Sequence, residues 1–397
     1  VASSSLSGTF FPAFSTTNGC SFVCNFGQRP FSYTPPSGFA ALNTYNLPAA
    51  TINNGATVMA ASTWTGNNTA GTNIVNSGNN AAAVSFKPDF VWAKNRSAAN
   101  NNMLFDSVRT AGKLLISELT NAESTTTGGV NAFNSNGFQV GYDGTAIINQ
   151  SGNSYIGWQW QAGQGTTSSD TSGSITSTVS VNASAGFSVV TYTSTGANAT
   201  VGHGLGIAPK MIIRKARNAS LQNNWYVYHQ NLSANGAVFL NLTDAYTASA
   251  NYWNNTSPTS TVFSVGSATS VLNDTWVSYC WAEVAGYSKF GSYTGNGSAD
   301  GPFVWCGFRP RFVLIKSSSG LENWIIQDTS RDTYNQMNNV LIPNASNAES
   351  AYASSQGIDI LSNGFKLRVA GAPVNTSAGT YIFAAFAENP FNISRAR

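Results

Sequence analysis

Groups able to do chemistry are scarce in this chain: 16 Asp and Glu, two His and four Cys among 397 residues. Hydrolysis would need paired carboxylates, or a nucleophile with a base, converging in one cleft. Asp106 and Asp328 occupy corresponding places in two similar stretches, and a third stretch has His229 nearby, in "YVYHQ". Glu283 and Glu388 match each other behind an aromatic run, with Gln161 near the corresponding place upstream. A repeated acid is more often a structural cap or a cross-domain ion pair than a catalyst, so these positions predict no enzyme. His203, in "VGHGLG", reads as a loop residue packed on its neighbour. That glycine-rich phrase lacks the Lys-Ser/Thr and helix of a phosphate cradle. With two histidines and no Asp-rich calcium loop, neither a metal nor a cofactor is expected.

The thiols add no chemistry. Cys20, Cys24, Cys280 and Cys306 sit in apolar contexts such as "CSFVC" and "SYCWAE" and are too few for a disulfide framework. On one extended strand Cys20 and Cys24 would stand about 13 Å apart, beyond bridging distance.

The elements that hold these residues announce themselves by repetition. Three times the chain runs through an aromatic strand and a turn ("STWTG" at Ser62, "VTYTSTG" at Val190, "GSYTGNG" at Gly291) to a proline and an apolar strand ending in Lys. Those strands read "PDFVWAK" at Pro88, "PKMIIRK" at Pro209 and "PRFVLIK" at Pro310. A second strand follows each ("NMLFDSVR" at Asn102, "NWYVYHQ" at Asn224, "NWIIQDTSR" at Asn323), then an aliphatic one around Leu115, Leu240 and Leu341. The outer copies also share "NAES" at Asn121 and Asn347. Each copy closes on an aromatic strand: "SYIGWQW" at Ser154, "TWVSYCW" at Thr275 and "TYIFAAF" at Thr380.

Runs of five to seven β-branched and aromatic residues with period-two alternation, separated by Gly, Asn, Ser and Asp, predict strands throughout. The expected fold is all-β, a tandem of antiparallel β-sandwich, jelly-roll-like units covering 49–163, 164–286 and 287–397. Pro88, Pro209 and Pro310 should stand where their strands begin, since no ladder donor is lost there. In "SYIGWQW" alternation puts Ile156, Trp158 and Trp160 on a dry face and Tyr155, Gly157 and Gln159 on a wetter one, with Trp160, Trp281 and Phe386 as core candidates. Lys94, Lys215 and Lys316 are expected to lay their stems on apolar surface with the ammonium at the sandwich rim, where alanine would cost modest stability.

Composition narrows the partners. Charged residues make up 9% and aromatic residues 12%, with a net charge of +3. Lys and Arg are scattered singly, which gives no stripe to neutralise phosphates, so nucleic acid is not expected. No run of 18 apolar residues could insert in a membrane, and no signal peptide is visible. Asn-x-Ser/Thr triplets at Asn198 and Asn255 are what so much Asn, Ser and Thr produces by chance.

The first 48 residues stand outside the repeat. Their "FPAF", "NFGQRPFSYTPPSGF" and "LNTYNLP" resemble the C-terminal end of a SPRY-like, concanavalin-like sandwich, which implies an excerpted or cleaved chain. Joined to "GHGLGIAPKMIIRKARNAS", "YSKFGSYTGNGSADGPF" and "AAFAENPFNISRAR", this is similar to virion-associated proteins of tailed, especially marine, bacteriophages. The resemblance implies a place on the virion beside other virion proteins. It implies a tail fibre or receptor-binding adhesin touching host surface glycans, or alternatively a capsid fibre or decoration protein with a purely structural role. Loop aromatics Trp225, Tyr246, Tyr252 and Trp253 are the candidate glycan contacts, stacking on sugars, although such residues equally fill small cores. A symmetric homo-oligomer, a trimer burying sandwich faces about a threefold axis, is expected; the alternative is a monomer whose three units cover one another.

Overall fold

A computed structural model describes residues 50–76, 85–144, 147–218, 224–269, 271–351 and 356–388, with a few positions between 21 and 41. Of the stretch expected to be SPRY-like, 1–48, only positions 21, 23–25, 29–37 and 41 are among the described residues, and no helix or strand is assigned at them. Residues 49–391 form one compact unit, separate from 1–48.

The fold is all-β and antiparallel, and the same main sheet occurs three times. Each has an opening strand (Met59–Thr65, Phe187–Thr193, Ser288–Thr294) and a closing strand (Ser154–Trp160, Thr275–Trp281, Thr380–Ala387). Next to the closing strand lies the Lys-bearing strand (Phe90–Asn95, Met211–Ala216, Pro310–Ser317), and next to that Met103–Asp106, Tyr226–His229 or Ile325–Asp328. The closing strand is thus drawn back between the first two elements of its own repeat. Register is kept: Trp160 faces Phe90, Trp281 faces Met211 and Phe386 faces Phe312. Pro310 opens its strand as expected, whereas Pro88 and Pro209 stand two residues before theirs, where a missing N–H likewise harms no ladder. A smaller sheet covers one face of each main sheet, completing a sandwich: Thr72–Val75 with Gly137–Val140 and Val130–Asn134, Ala199–Gly202 with Val262–Val265, and Phe303–Trp305 with Gly364–Leu367 and Ile358–Leu361.

What covers the other face decides the architecture. Tyr155 enters its own sandwich core with Phe138, Val91 and Phe105. Ile156, Trp158 and Trp160 point the opposite way, into a core shared by all three units. There Phe90 lies 4.2 Å from Tyr279, and Trp160 meets Trp281, Phe312 and Phe386 at 6.0, 5.5 and 5.6 Å. The face expected to be wetter is therefore dry: Tyr155 and Gln159 are fully buried. Only a gap of about 10 Å³ remains between Trp92, Trp160, Ile213, Trp281, Leu314 and Phe386, room for one water at most.

Candidate functional site

The polar residues singled out above converge on the seams between units, and the seams repeat cyclically. Lys94 donates to the carbonyl of Ser346 in the third unit (2.9 Å), Lys215 to Thr120 in the first (3.0 Å) and Lys316 to Thr243 in the second (3.0 Å). Every unit reaches into the one before it, and the first reaches into the last. This is the contact pattern of a closed threefold ring made by one chain. The expected position at the sandwich rim is corrected: all three lysines are buried, and burial lowers each ammonium to about 8. Cross-unit carbonyls supply the acceptors that such a buried cation requires.

A second trio follows the same cycle. Trp225 Nε1 donates to the carbonyls of Ile116 and Leu119, Asn102 Nδ2 donates to the corresponding Ile342 and Ala345, and Trp324 Nε1 donates to Phe239. Backbone pairing joins the seams too, through Glu123 N to Arg217 O, Glu349 N to Arg96 O and Tyr246 N to Ser318 O.

Charge separates two seams from the third. Between the first and second units, buried Asp106 pairs with Arg109, Arg109 with Glu123 (3.1 Å), and Glu123 with Arg217 (2.9 Å). Between the third and first, Asp328 pairs with Arg331 (2.6 Å), Arg331 with Glu349 (2.8 Å), and Glu349 with Arg96 (2.7 Å). Burial works against both charges of these pairs. The neighbouring opposite charges outweigh it, holding Arg109 and Arg331 above the usual range and Glu123 and Glu349 below theirs. The repeated aspartates also bind the neighbouring closing strand: Asp106 accepts from the Tyr279 hydroxyl (2.8 Å) and Asp328 from Trp158 Nε1 (3.1 Å). They are cross-unit struts, the role expected of them from their repetition.

The seam between the second and third units has His229, Leu232, Tyr246 and Ser318 at the corresponding positions and no such ion-pair network among the described residues. His229 Nε2 donates to the Phe383 carbonyl (3.1 Å), while its Nδ1 accepts from the Asn231 amide (3.2 Å). Only a neutral ring can do both. Burial lowers its pKa to about 4, with no charged neighbour to oppose this. Since the folded pKa lies below the unfolded value near 6.5, this contribution to stability is complete above 6.5 and is lost as pH falls toward 4. It amounts to about 3 kcal/mol when fully lost. Thermal melts between pH 7 and 5 should show wild type losing stability in a window where His229→Gln does not. Parallel losses in both would refute the assignment.

The four proposed glycan-contact aromatics are placed differently from that expectation. Trp225 and Trp253 are buried, the first in the seam and the second beneath the Arg214 guanidinium at 4.8 Å. Tyr252 is half-buried against Tyr226 and Phe239, and half-buried Tyr246 closes over Gly236 and bonds the Ser233 carbonyl. Trp225 and Trp253 therefore offer no open ring face to a sugar, whereas Tyr246 and Tyr252 stay partly exposed. His203 is a buried loop residue between the Thr259 carbonyl and the Leu205 amide, as expected. Glu283 pairs with Lys289, and Glu388 with Arg309. Cys280 and Cys306 are buried free thiols, and among the described residues no group of three His, Cys, Asp or Glu could hold a metal ion.

Sequence reasoning missed Arg109, Arg331, Glu123 and Glu349 as partners. The signal was present, because "NAES" and an Arg three residues after the Asp occur in the outer repeats and are missing from the middle one. A family model described as a domain of unknown function (DUF7483) matches residues 54–390, spanning all three repeats at once. No curated protein and no solved structure matches.

Proposed function

The chain belongs to the DUF7483 family, a domain of unknown function, and from its geometry we propose a non-catalytic structural protein of the exposed surface of a bacteriophage particle. The virion setting rests on the sequence resemblance. The structural role rests on one observation: the polar residues that chemistry would use, Asp106, Asp328 and His229, are spent on joining units into a closed ring. A decoration or spacer role accordingly stands ahead of host-glycan binding, two of whose four candidate aromatics, Trp225 and Trp253, are buried. The apolar faces that would drive a homotrimer cover one another within the chain, so a monomer suffices.

Light scattering of the full chain at micromolar concentration should give the monomer mass, 41.8 kDa. Antibodies to it should label intact particles, and the soluble chain should leave adsorption to host cells unchanged. A stable trimer would overturn the monomer reading, unlabelled particles the virion setting, and blocked adsorption the purely structural role.

A further inference from the structure

We propose that the outer edge of the strand Phe303–Trp305 binds an extended polypeptide strand supplied by another protein. This strand pairs with Gly364–Leu367 on one side only. Its inward residue, Val304, faces Phe365, and the flanking bonds Leu367 N to Pro302 O and Cys306 N to Asn363 O fix the alternation. In an antiparallel ladder of that phase, the amides and carbonyls of Phe303 and Trp305 point to the opposite edge. No described residue bonds them there.

The middle unit shows the same edge occupied. Val201 stands where Val304 does, facing Phe263 as Val304 faces Phe365, so Thr200 and Gly202 correspond to Phe303 and Trp305. A segment of the chain lies along that edge, with Ile175 bridging Val201 in parallel. Ile175 N donates to Thr200 O (3.0 Å), Thr200 N to Ser174 Oγ (2.9 Å), and Ser177 Oγ to Gly202 O (2.8 Å). The Ile175 side chain is buried in that unit's core. The segment belongs to the long connection between Trp160 and Phe187. The matching connection, from Trp281 to Ser288, has six residues, and its Val284 and Tyr287 are already engaged in a turn onto the opening strand. It has no length left to repeat the arrangement.

The surroundings describe the ligand. Phe303 and Trp305 are 44% and 59% exposed, yet their rings fold back over Gly364 and Gly307, where added Cβ atoms would approach them to 3.1 and 3.0 Å. Glycine there lets the rings lie on the sheet and leaves the edge clear. The nearby charges are paired with one another, Lys289 with Glu283 and Lys366 with Asp300, so a neutral strand is the complementary one. A β-branched residue between hydroxyl residues, running parallel, has the chemistry of Ser174–Ser177. Main-chain bonds would supply the affinity, and the two rings would cover the incoming side chains.

The test uses the full chain and a synthetic peptide with the sequence of Ser172–Thr178, and is independent of the virion reading. At millimolar peptide, hydrogen exchange at the Phe303 and Trp305 amides should slow by about tenfold or more while Val304 is unaffected. N-methylation of the peptide's isoleucine amide, which removes the donor to Phe303 O without touching the protein, should weaken binding by about tenfold. Four results would overturn the proposal: unchanged exchange, equal binding of the methylated peptide, amides already protected without peptide, or self-association of the chain through this edge.

Discussion

Asp328→Ala should lower the unfolding free energy by about 3–5 kcal/mol, the usual cost of breaking a buried ion pair from one side. The Asp328 carboxylate accepts from Arg331 Nε (2.6 Å), the amides of Ser330 and Arg331 (both 3.1 Å) and the Trp158 indole (3.1 Å). Removing it leaves a fully buried guanidinium with Glu349 as its remaining carboxylate, and strands an indole N–H at a seam. The middle repeat indicates the remedy, because it carries Leu232 where the outer repeats carry Arg109 and Arg331. Asp328→Ala combined with Arg331→Leu removes both charges and should recover at least half the loss. Denaturant titration of the two variants measures the coupling. A single-variant loss below about 1 kcal/mol, or no recovery in the pair, would show that the strut contributes little.

Trp160→Ala should be at least as damaging, by about 3–5 kcal/mol, as for large aromatic truncations in rigid cores. Its ring touches Phe90 of its own unit, Trp281 of the second, and Phe312 and Phe386 of the third, so one truncation opens a cavity felt by all three. Its indole nitrogen has no hydrogen-bond partner, which makes the contribution one of packing alone. Trp160→Phe should therefore cost far less, under about 1.5 kcal/mol, and Phe386 already occupies the corresponding place in the third repeat. Because the core is shared, hydrogen exchange in Trp160→Ala should quicken in all three closing strands together. Faster exchange confined to residues 59–160 would mean that the units unfold separately and that the common core adds little.

Strand identity, the threefold repetition and the pairing of like positions were legible because local chemistry carries them. Aromatic and β-branched runs with turn residues between them favour strands wherever they occur, and a repeated order of elements implies a repeated topology. Substitutions among the copies were also legible: the outer repeats pair Asp with Arg and keep "NAES", and the middle one has His229 and Leu232. Period-two alternation divides a strand's residues between two faces, but it does not say what lies against either. Tyr155 and Trp158 alternate correctly along "SYIGWQW", yet only the packed chain sends one into its own sandwich and the other into a core with two further units. For the same reason Lys94, Lys215 and Lys316 read as rim residues. A lysine is snorkelled or buried according to whether carbonyls from elsewhere meet its ammonium, and here those carbonyls lie 252, 95 and 73 residues away in sequence, at Ser346, Thr120 and Thr243. Local sequence determined the strands and their threefold recurrence; the closing of the ring, and with it the burial of Asp106, Asp328 and His229 against a neighbouring unit, was decided by contacts between segments whose mutual approach no local pattern encodes.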